Sequence, residues 1–555
     1  MKKLSITLLL ICGFSCLSVA DERTDHEMIK AAMQVLNAKG EQRKAGVNAE
    51  PTILRRSEQL SIVGYKDGRW TFIANDDNIE AVLGYTDCAV TGSLPPALEW
   101  WIEAMNVSLA EQLASGETFT TVRPVSDYSA EVAPLVTTKW DQSAPYYDLC
   151  PEFSVNNIKK HCLTGCLATA MAQVMNYHEY PIKGTGSRSF YVYDDKGTRT
   201  RVYANYGNTT YDWANMLDVY GKSGTYSVEQ GKAVATLMYH CGVAVEMQYG
   251  IEESGALCND AGTALRKYFN YHENVMTHYR DIIHKAEWMN MIFRELSDGC
   301  PIIYGGSSSQ GGHAFVLDGY NADGKVHVNW GWSGSGDGYF DVARLNGYSQ
   351  VQEMVIVRKP DDTRYTDKCY SLWGILEGLT AKLVINNVTL TARMFANFKN
   401  HTNFNGYIGV MAMDTVTHEV KALGRNAEKF SDIQYGAGTT QYTASASISG
   451  LADGVYRIYL ASKDDSDPDW QPVKSKEGVC NSYILTLNNG ASALKPEDNS
   501  KWMYDIITGI DDVYYGNSSK AVGIYNLNGM RMPSMKSGLN LIRQTDGTIK
   551  KVMMK

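Results

Sequence analysis

The feature that most constrains this sequence is a glycine and a cysteine placed directly before a helical pattern. Gly165 and Cys166 precede residues 167–174, in which apolar side chains recur at helical spacing, so Cys166 is predicted to begin a buried helix. The unpaired N–H groups and the positive dipole end of a helix N-terminus stabilise a thiolate and lower the pKa of the thiol. The sequence therefore predicts a nucleophilic cysteine at position 166.

A cysteine nucleophile needs a base, and the candidate is His313, which lies 147 residues downstream in a strand-like run. Gly311 and Gly312 directly before it allow a substrate backbone to approach closely. A lone strand histidine is more often a structural residue. The glycines and the spacing from Cys166 favour general acid–base work by His313, with the two residues joined only by the fold.

Composition narrows the class of protein. The chain has 555 residues, 44% of them hydrophobic and 20% charged, which predicts several folded domains. Its net charge of -9 excludes nucleic acid as a partner, because phosphate binding needs a basic surface.

Residues 1–20 have the pattern of an export signal. Two lysines precede an apolar run over residues 4–17, and Ser18-Val19-Ala20 fits a cleavage site, so the mature chain is predicted to begin near Asp21. A lipid anchor at Cys16 is the alternative. No later apolar stretch is long enough to span a bilayer, and the protein is expected to be secreted or at the cell surface.

Eleven cysteines fall to nine once the signal is removed, and an odd number in an exported protein implies at least one free thiol. Cys166 is the expected free one, and Cys150 and Cys162 are candidates for a pair. No cysteine or histidine cluster has zinc spacing. Neither a metal nor a cofactor is expected.

The pattern of apolar and polar residues divides the chain into segments. Residues 21–131 combine helical and strand patterns, and their polar end is a place where proteases cut. Residues 132–360 have a helical half with Cys166 and a strand-rich half with His313, which predicts a two-lobed α+β domain. Residues 365–487 alternate as in a β-sandwich, and 510–555 form a separate tail.

Several motifs resemble the streptopain family of papain-like cysteine peptidases. They are Thr164-Gly165-Cys166, Gly312-His313-Ala314-Phe315, and His327-Val328-Asn329-Trp330-Gly331-Trp332. The block from Asn75 to Tyr85, with Pro95-Pro96 and Trp100-Trp101, resembles the inhibitory propeptide of that family. Residues 522–542 are similar to sorting segments of exported Bacteroidetes proteins.

The resemblance implies roles for further residues. Substrate-backbone contacts are expected from Gly312 and from Ser254 or Gly255, in a stretch where Glu252-Glu253 departs from the Pro and Ser usual in the family. Tyr147 stands where the family tends to have Asn.

The neighbours expected around the dyad come with alternatives. Either Asn329 or Trp330 orients the imidazole of His313. Trp332 either shields the cleft from water or packs in the core. The N–H of Cys166, joined by Gln142, is the expected oxyanion donor.

These observations predict a secreted cysteine endopeptidase made as a zymogen that processes itself. Its partners are protein or peptide substrates and its own propeptide, which inhibits it. A cell-wall amidase or a transglutaminase-like enzyme shares the Cys/His pair and is the nearest alternative. An adhesin or binding protein on an inactive peptidase scaffold is the alternative from another class.

Overall fold

The structure is a computed structural model. It describes residues 22–38, 50–90, 92–115, 121–125, 128–221, 225–273, 275–308, 311–343, 352–362, 373–398, 403–434, 436–466, 469–476 and 478–497, with four short strands between residues 521 and 554. The predicted export signal, Cys369 and much of the tail lie outside these residues.

Helices and strands share the first part of the chain, and the described part after residue 373 consists of strands and their connections. The helices are α1 (Asp25–Ala38), α2 (Pro96–Ser115), α3 (Cys166–His178), α4 (Val228–Ala244), α5 (Asn259–Phe269) and α6 (Lys285–Ser297). The first strands are β1 (Thr52–Arg56), β2 (Leu60–Gly64), β3 (Trp70–Ala74), β4 (Val82–Thr86), β5 (Glu152–Val155), β6 (Ile158–His161), β7 (Arg188–Tyr193), β8 (Arg199–Ala204), β9 (Met276–Tyr279), β10 (Ile302–Ser308), β11 (Gly311–Tyr320), β12 (Val326–Asn329), β13 (Gly338–Phe340) and β14 (Gln352–Ile356).

The later strands are β15 (Trp373–Val384), β16 (Asn387–Asn397), β17 (Phe404–Asp414), β18 (Val420–Ile433), β19 (Gly438–Ser447), β20 (Gly454–Asp464), β21 (Gln471–Pro472), β22 (Lys474–Ser475), β23 (Ser482–Asn488), β24 (Ala491–Pro496), β25 (Ala521–Tyr525), β26 (Arg531–Met532), β27 (Gly538–Gln544) and β28 (Ile549–Met554). The predicted α+β class is confirmed.

The N-terminal unit, residues 22–115, is an antiparallel sheet of β1 to β4 between two helices. α1 packs Met28 against Val63 on one face, and α2 packs Trp101 edge-on against Phe72 on the other, with ring centroids 5.2 Å apart. Because both faces are covered, all five residues of β2 are buried. Successive side chains of a strand point to opposite faces, so its near-continuous apolar run suits this middle position.

One sheet of ten strands joins the N-terminal unit to the rest. Its order is β1-β2-β3-β4-β13-β12-β11-β10-β14-β9, and the junction is the antiparallel pairing of β4 with β13. Tyr85 stacks on Tyr339 across this junction, with ring centroids 5.3 Å apart. A turn with Gly324 at φ 82° precedes β12, and β11 carries His313 in the interior of the sheet.

The two faces of β11 pack against different layers. Ala314 and Val316 lie in one core with α3, α4 and α5. Phe315 and Leu317 lie in a second core with α2 and α6. The central sheet therefore separates a helical lobe that carries Cys166 from a layer that contains α2 of the N-terminal unit.

The C-terminal unit, residues 373–497, is two sheets around one core. Their strand orders are β19-β16-β15-β22 and β18-β17-β20-β23-β24. Tyr456, Ile458 and Leu460 all lie in that core, as their alternation predicts. The strand pairing extends to Pro496, beyond the predicted boundary at 487, and the tail strands β25 to β28 form a separate sheet.

Two further observations bear on the sequence analysis. Cys150 and Cys162, the two candidates for a disulfide, both carry free thiols. None of the helices among the described residues combines the length and the apolar character needed to cross a bilayer.

Candidate active site

Cys166 is the first residue of α3, and Gly165 before it adopts a conformation that side chains disfavour. Its φ is 88°, in the left-handed region that glycine tolerates. A Cβ at this position would lie 2.6 Å from the Met247 side chain and 3.1 Å from the carbonyl oxygen of Ser254. Glycine is therefore required at 165 to bring the chain into the helix with Cys166 facing β11.

The thiol of Cys166 lies against the strand that carries His313. It accepts a hydrogen bond from the N–H of Ala314 at 3.4 Å. Burial raises the pKa of the Cys166 thiol, and the N–H groups of Ala314, Leu167 and Cys166 itself only partly offset this. The thiol is consequently neutral at pH 7 in this conformation.

His313 is half-buried in β11, where it is paired with Gly306 of β10. Burial lowers the pKa of His313, and the nearby charge of Glu253 opposes this. No hydrogen bond joins His313 to Cys166 in the part of the chain that the structure describes. Desolvation favours the neutral form of each group and so opposes an ion pair between them in this conformation.

A tryptophan of the N-terminal unit packs beside the His313 strand. A Cβ on Gly306 would lie 2.3 Å from the Trp100 ring, so the indole rests directly on the backbone of β10. Trp100 also approaches Phe315, with ring centroids 6.1 Å apart. Side chains alternate along a strand, and His313 therefore shares the Phe315 face with Trp100.

The two residues considered for orienting the imidazole are bonded elsewhere. The Asn329 side chain accepts from Gln173 at 3.1 Å and donates to the carbonyl of Thr138 at 2.8 Å. The Trp330 indole donates to the carbonyl of Gly336 at 2.9 Å. In this conformation both residues tie together the elements around the cleft, and Trp332 is half-buried against the core that contains α2.

The expected substrate-binding positions fall at two different depths. Gly312 is exposed in β11, whereas Ser254 is buried. The Ser254 hydroxyl accepts from the N–H of Gly250 at 3.0 Å and donates to the carbonyl of Leu163 at 2.8 Å. The Ser254 side chain thus links its own loop to the segment before Cys166, and Gln142 is bonded to that same segment through its carbonyl, which accepts from the N–H of Thr164 at 3.2 Å.

Sequence reasoning missed a charged cluster at the junction of the N-terminal unit. His327 lies 2.6 Å from Asp318 and 3.2 Å from Asp87 of the N-terminal unit. Burial alone would lower the pKa of His327, but the two carboxylates outweigh it and raise the pKa to about 10. Lys139 donates to the Cys88 thiol at 3.0 Å beside it. No local sequence pattern signals a cluster whose members come from distant segments.

Comparison with known proteins identifies the family of this chain. The sequence profile of the Peptidase C10 family matches residues 140–340, a stretch that holds both Cys166 and His313. Streptopain of Streptococcus pyogenes is 30% identical over 326 residues, which are 54% of this chain and 81% of streptopain. The chain belongs to the streptopain family of cysteine peptidases.

Two further peptidases are similar. The thiol protease/hemagglutinin PrtT of Porphyromonas gingivalis is 29% identical over 482 residues, and the match covers 80% of this chain but only 53% of that protein. A fragment of prointerpain A from Prevotella intermedia is 40% identical and superimposes with a TM-score of 0.50 over 55% of this chain and 97% of the fragment. The predicted family, the α+β peptidase fold and the class of cysteine-type endopeptidases are confirmed.

Proposed function

We propose that the chain is the precursor of a secreted cysteine endopeptidase with Cys166 as nucleophile and His313 as general base and acid. The observation that supports this best is the 3.4 Å contact between the Cys166 thiol and the N–H of Ala314. It joins a helix N-terminus in one lobe to the residue after His313 in the other.

The proposed chemistry follows from these two groups. In the active enzyme His313 takes the thiol proton, and the Cys166 thiolate attacks the peptide carbonyl. The oxyanion accepts hydrogen bonds from the N–H of Cys166 and from Gln142. His313 then protonates the leaving amine, and a water molecule hydrolyses the acyl-enzyme, with Gly312 and the backbone near Ser254 binding the substrate chain.

The N-terminal unit is proposed to keep the precursor inactive. Trp100 rests on Gly306, the partner of His313, and burial favours the neutral form of both the thiol and the imidazole in this arrangement. A tethered inhibitor acts at an effective concentration of about millimolar. Cutting the segment between α2 and residue 132 removes that tether, and the unit dilutes away.

The proposal includes export and sorting. Residues 1–20 direct secretion, the mature chain begins near Asp21, and residues 510–555 address the protein to its final location.

The test compares the full chain with its Cys166→Ala variant, each purified without other proteases. The wild-type chain is expected to shorten with time to a product that begins between Ser115 and Pro134, whereas Cys166→Ala stays at precursor length. The matched control is Cys480→Ala, which removes a half-buried thiol of the C-terminal unit and is expected to process normally. N-terminal sequencing of the exported and processed products locates both cuts.

Two results would contradict the proposal. Processing of Cys166→Ala at the wild-type rate would assign maturation to another protease. Proteolysis of unfolded protein by the Cys166→Ala protein would show that Cys166 is not the nucleophile.

A further inference from the structure

An acidic side chain lies in line with the proposed dyad across the central sheet. Gly305 of β10 is paired with Ala314 on one side and with Glu353 of β14 on the other. Directly paired residues of antiparallel strands project their side chains from the same face. Glu353 therefore faces the helical lobe, as do Ala314, whose N–H contacts the Cys166 thiol, and Val355 in the core with α3.

Among the residues that the structure describes, none pairs with the buried carboxylate oxygen of Glu353. Its Oε2 atom is buried without a hydrogen bond, and the described residues place no ion pair on this side chain. The residue as a whole is half-buried rather than sealed. Burying an unpaired carboxylate is costly, and a positively charged group from outside the chain is what would relieve the cost.

Cys258 lies close to both this carboxylate and the proposed nucleophile, because the charges of Glu353 and Cys166 both act on its thiol. A Cβ on Gly305 would lie 2.8 Å from the Cys258 sulfur, so this sulfur lies over Gly305, the strand partner of both Ala314 and Glu353. Burial raises the pKa of Cys258, and the charges of Glu353 and Cys166 both raise it further. The pKa of Glu353 itself is raised to about 7 by burial and by Asp260. Asp260 has the same sign and adds to the attraction for a cation.

The chemistry indicates which half of a substrate reaches Glu353. The leaving amine receives its proton from His313 and therefore lies on the His313 side of the thiol. The other face of the sheet carries Ala314, Gly305 and Glu353, beside Cys258. The acyl half of the substrate therefore lies on that face. Two strand spacings separate Ala314 from Glu353, about 10 Å. A long basic side chain at the second residue before the scissile bond, P2, spans that distance.

We propose that Glu353 makes this enzyme select substrates with Lys or Arg at P2. The inference rests on the proposed function of Cys166 and His313 and adds a substrate class to it. The Glu353 carboxylate accepts a charge-assisted hydrogen bond from the P2 cation, and a neutral side chain at P2 leaves the carboxylate unpaired.

The experiment uses the full chain, allowed to process itself, as wild type, Glu353→Gln and Glu253→Gln. Active enzyme is counted by titration with an irreversible thiol-directed inhibitor. kcat/KM is then measured on fluorogenic peptides that differ only at P2, where arginine is compared with citrulline, its neutral analogue, and with leucine. Glu353→Gln keeps the shape of the side chain and removes the charge.

Wild type is expected to prefer arginine over citrulline by about 10- to 100-fold, the range of a hydrogen bond to a charged group. Glu353→Gln is expected to lose most of that ratio and to keep its activity on the leucine peptide. Glu253→Gln, which neutralises the carboxylate whose charge acts on His313, is expected to keep the ratio.

Equal rates on arginine and citrulline in the wild type would overturn the inference, whether or not Glu353→Gln folds. Loss of the ratio in Glu253→Gln alone would overturn it as well. If no thiol titrates and no peptide is cleaved, the proposed function has failed, a result distinct from cleavage without P2 preference.

Discussion

The central sheet is extended at one end by the N-terminal unit and flanked at the other by the C-terminal unit, and the two attachments differ in kind. At the N-terminal end, β4 continues the sheet by main-chain pairing with β13, and α2 reaches over to the strands of the dyad. At the C-terminal end the contacts are between side chains. Phe398 packs on Tyr279 of β9 with ring centroids 5.9 Å apart, and Lys474 pairs with Glu287 of α6 at 3.4 Å.

We infer from this difference that closeness to the strands of the proposed dyad, rather than the extent of an interface, decides which unit controls the enzyme. Trp100 rests against β10 beside His313, whereas Phe398 and Lys474 contact β9 and α6. We expect changes at the first attachment to alter activation and changes at the second to alter stability alone.

The largest expected effect comes from Trp100→Ala compared with Phe398→Ala. Each substitution removes a buried aromatic side chain, and such losses cost about 3–5 kcal/mol. In the Cys166→Ala background both variants should lower the unfolding midpoint of the unit concerned. In the active background Trp100→Ala is expected to shorten the half-life of the precursor severalfold, and Phe398→Ala to leave it unchanged. Equal half-lives would remove the distinction between the two ends.

A smaller effect is expected from Asp87→Asn compared with Lys474→Met, which break one ion pair at each end. Asp87 is 22% exposed and Asp318 still holds His327, so the loss is about 1–2 kcal/mol rather than that of a fully buried pair. Asp87→Asn is expected to speed processing in a time course followed by gel electrophoresis. Faster processing of Lys474→Met would instead connect the C-terminal unit to activation.

A further effect, on stability rather than on processing, is a pH dependence confined to the N-terminal end. The pKa of His327 is raised to about 10 in the folded precursor and is about 6.5 in an unfolded chain. A raised folded pKa stabilises the fold fully below pH 6.5, and this contribution is lost as the pH rises through 10. The unfolding midpoint of Cys166→Ala precursor should fall between pH 6.5 and 10, and fall less when Asp87→Asn is added. Parallel curves for the two proteins would contradict the role of this cluster.

Local periodicity was sufficient to predict the elements that carry the dyad. The apolar spacing after Cys166 is a property of neighbouring residues, and so is the alternation around His313. The helix at Cys166, the strand at His313 and the core-facing set Tyr456, Ile458 and Leu460 follow from such patterns.

The parts of the site that sequence did not predict depend on contacts between distant segments. Asp87 and His327 are 240 residues apart in sequence, and neither has a pattern that names the other. The Ser254 hydroxyl and the Asn329 amide form hydrogen bonds with Leu163 and Gln173. These partners are distant in sequence and meet only in the fold. Burial raises the pKa of the Cys166 thiol and lowers the pKa of His313, and burial is not a local property.

The pairing of β4 with β13 also bears on the solubility of the enzyme after the proposed maturation. Removing the N-terminal unit leaves six strands, with β13 as a new free edge. An open edge is a template for pairing with another chain and a common origin of aggregation. Here the edge is only three residues long and is flanked by Asp337 and Asp341. A short, charged edge resists recruitment into intermolecular sheets, so the same junction that holds the precursor together leaves little for a neighbouring molecule to extend.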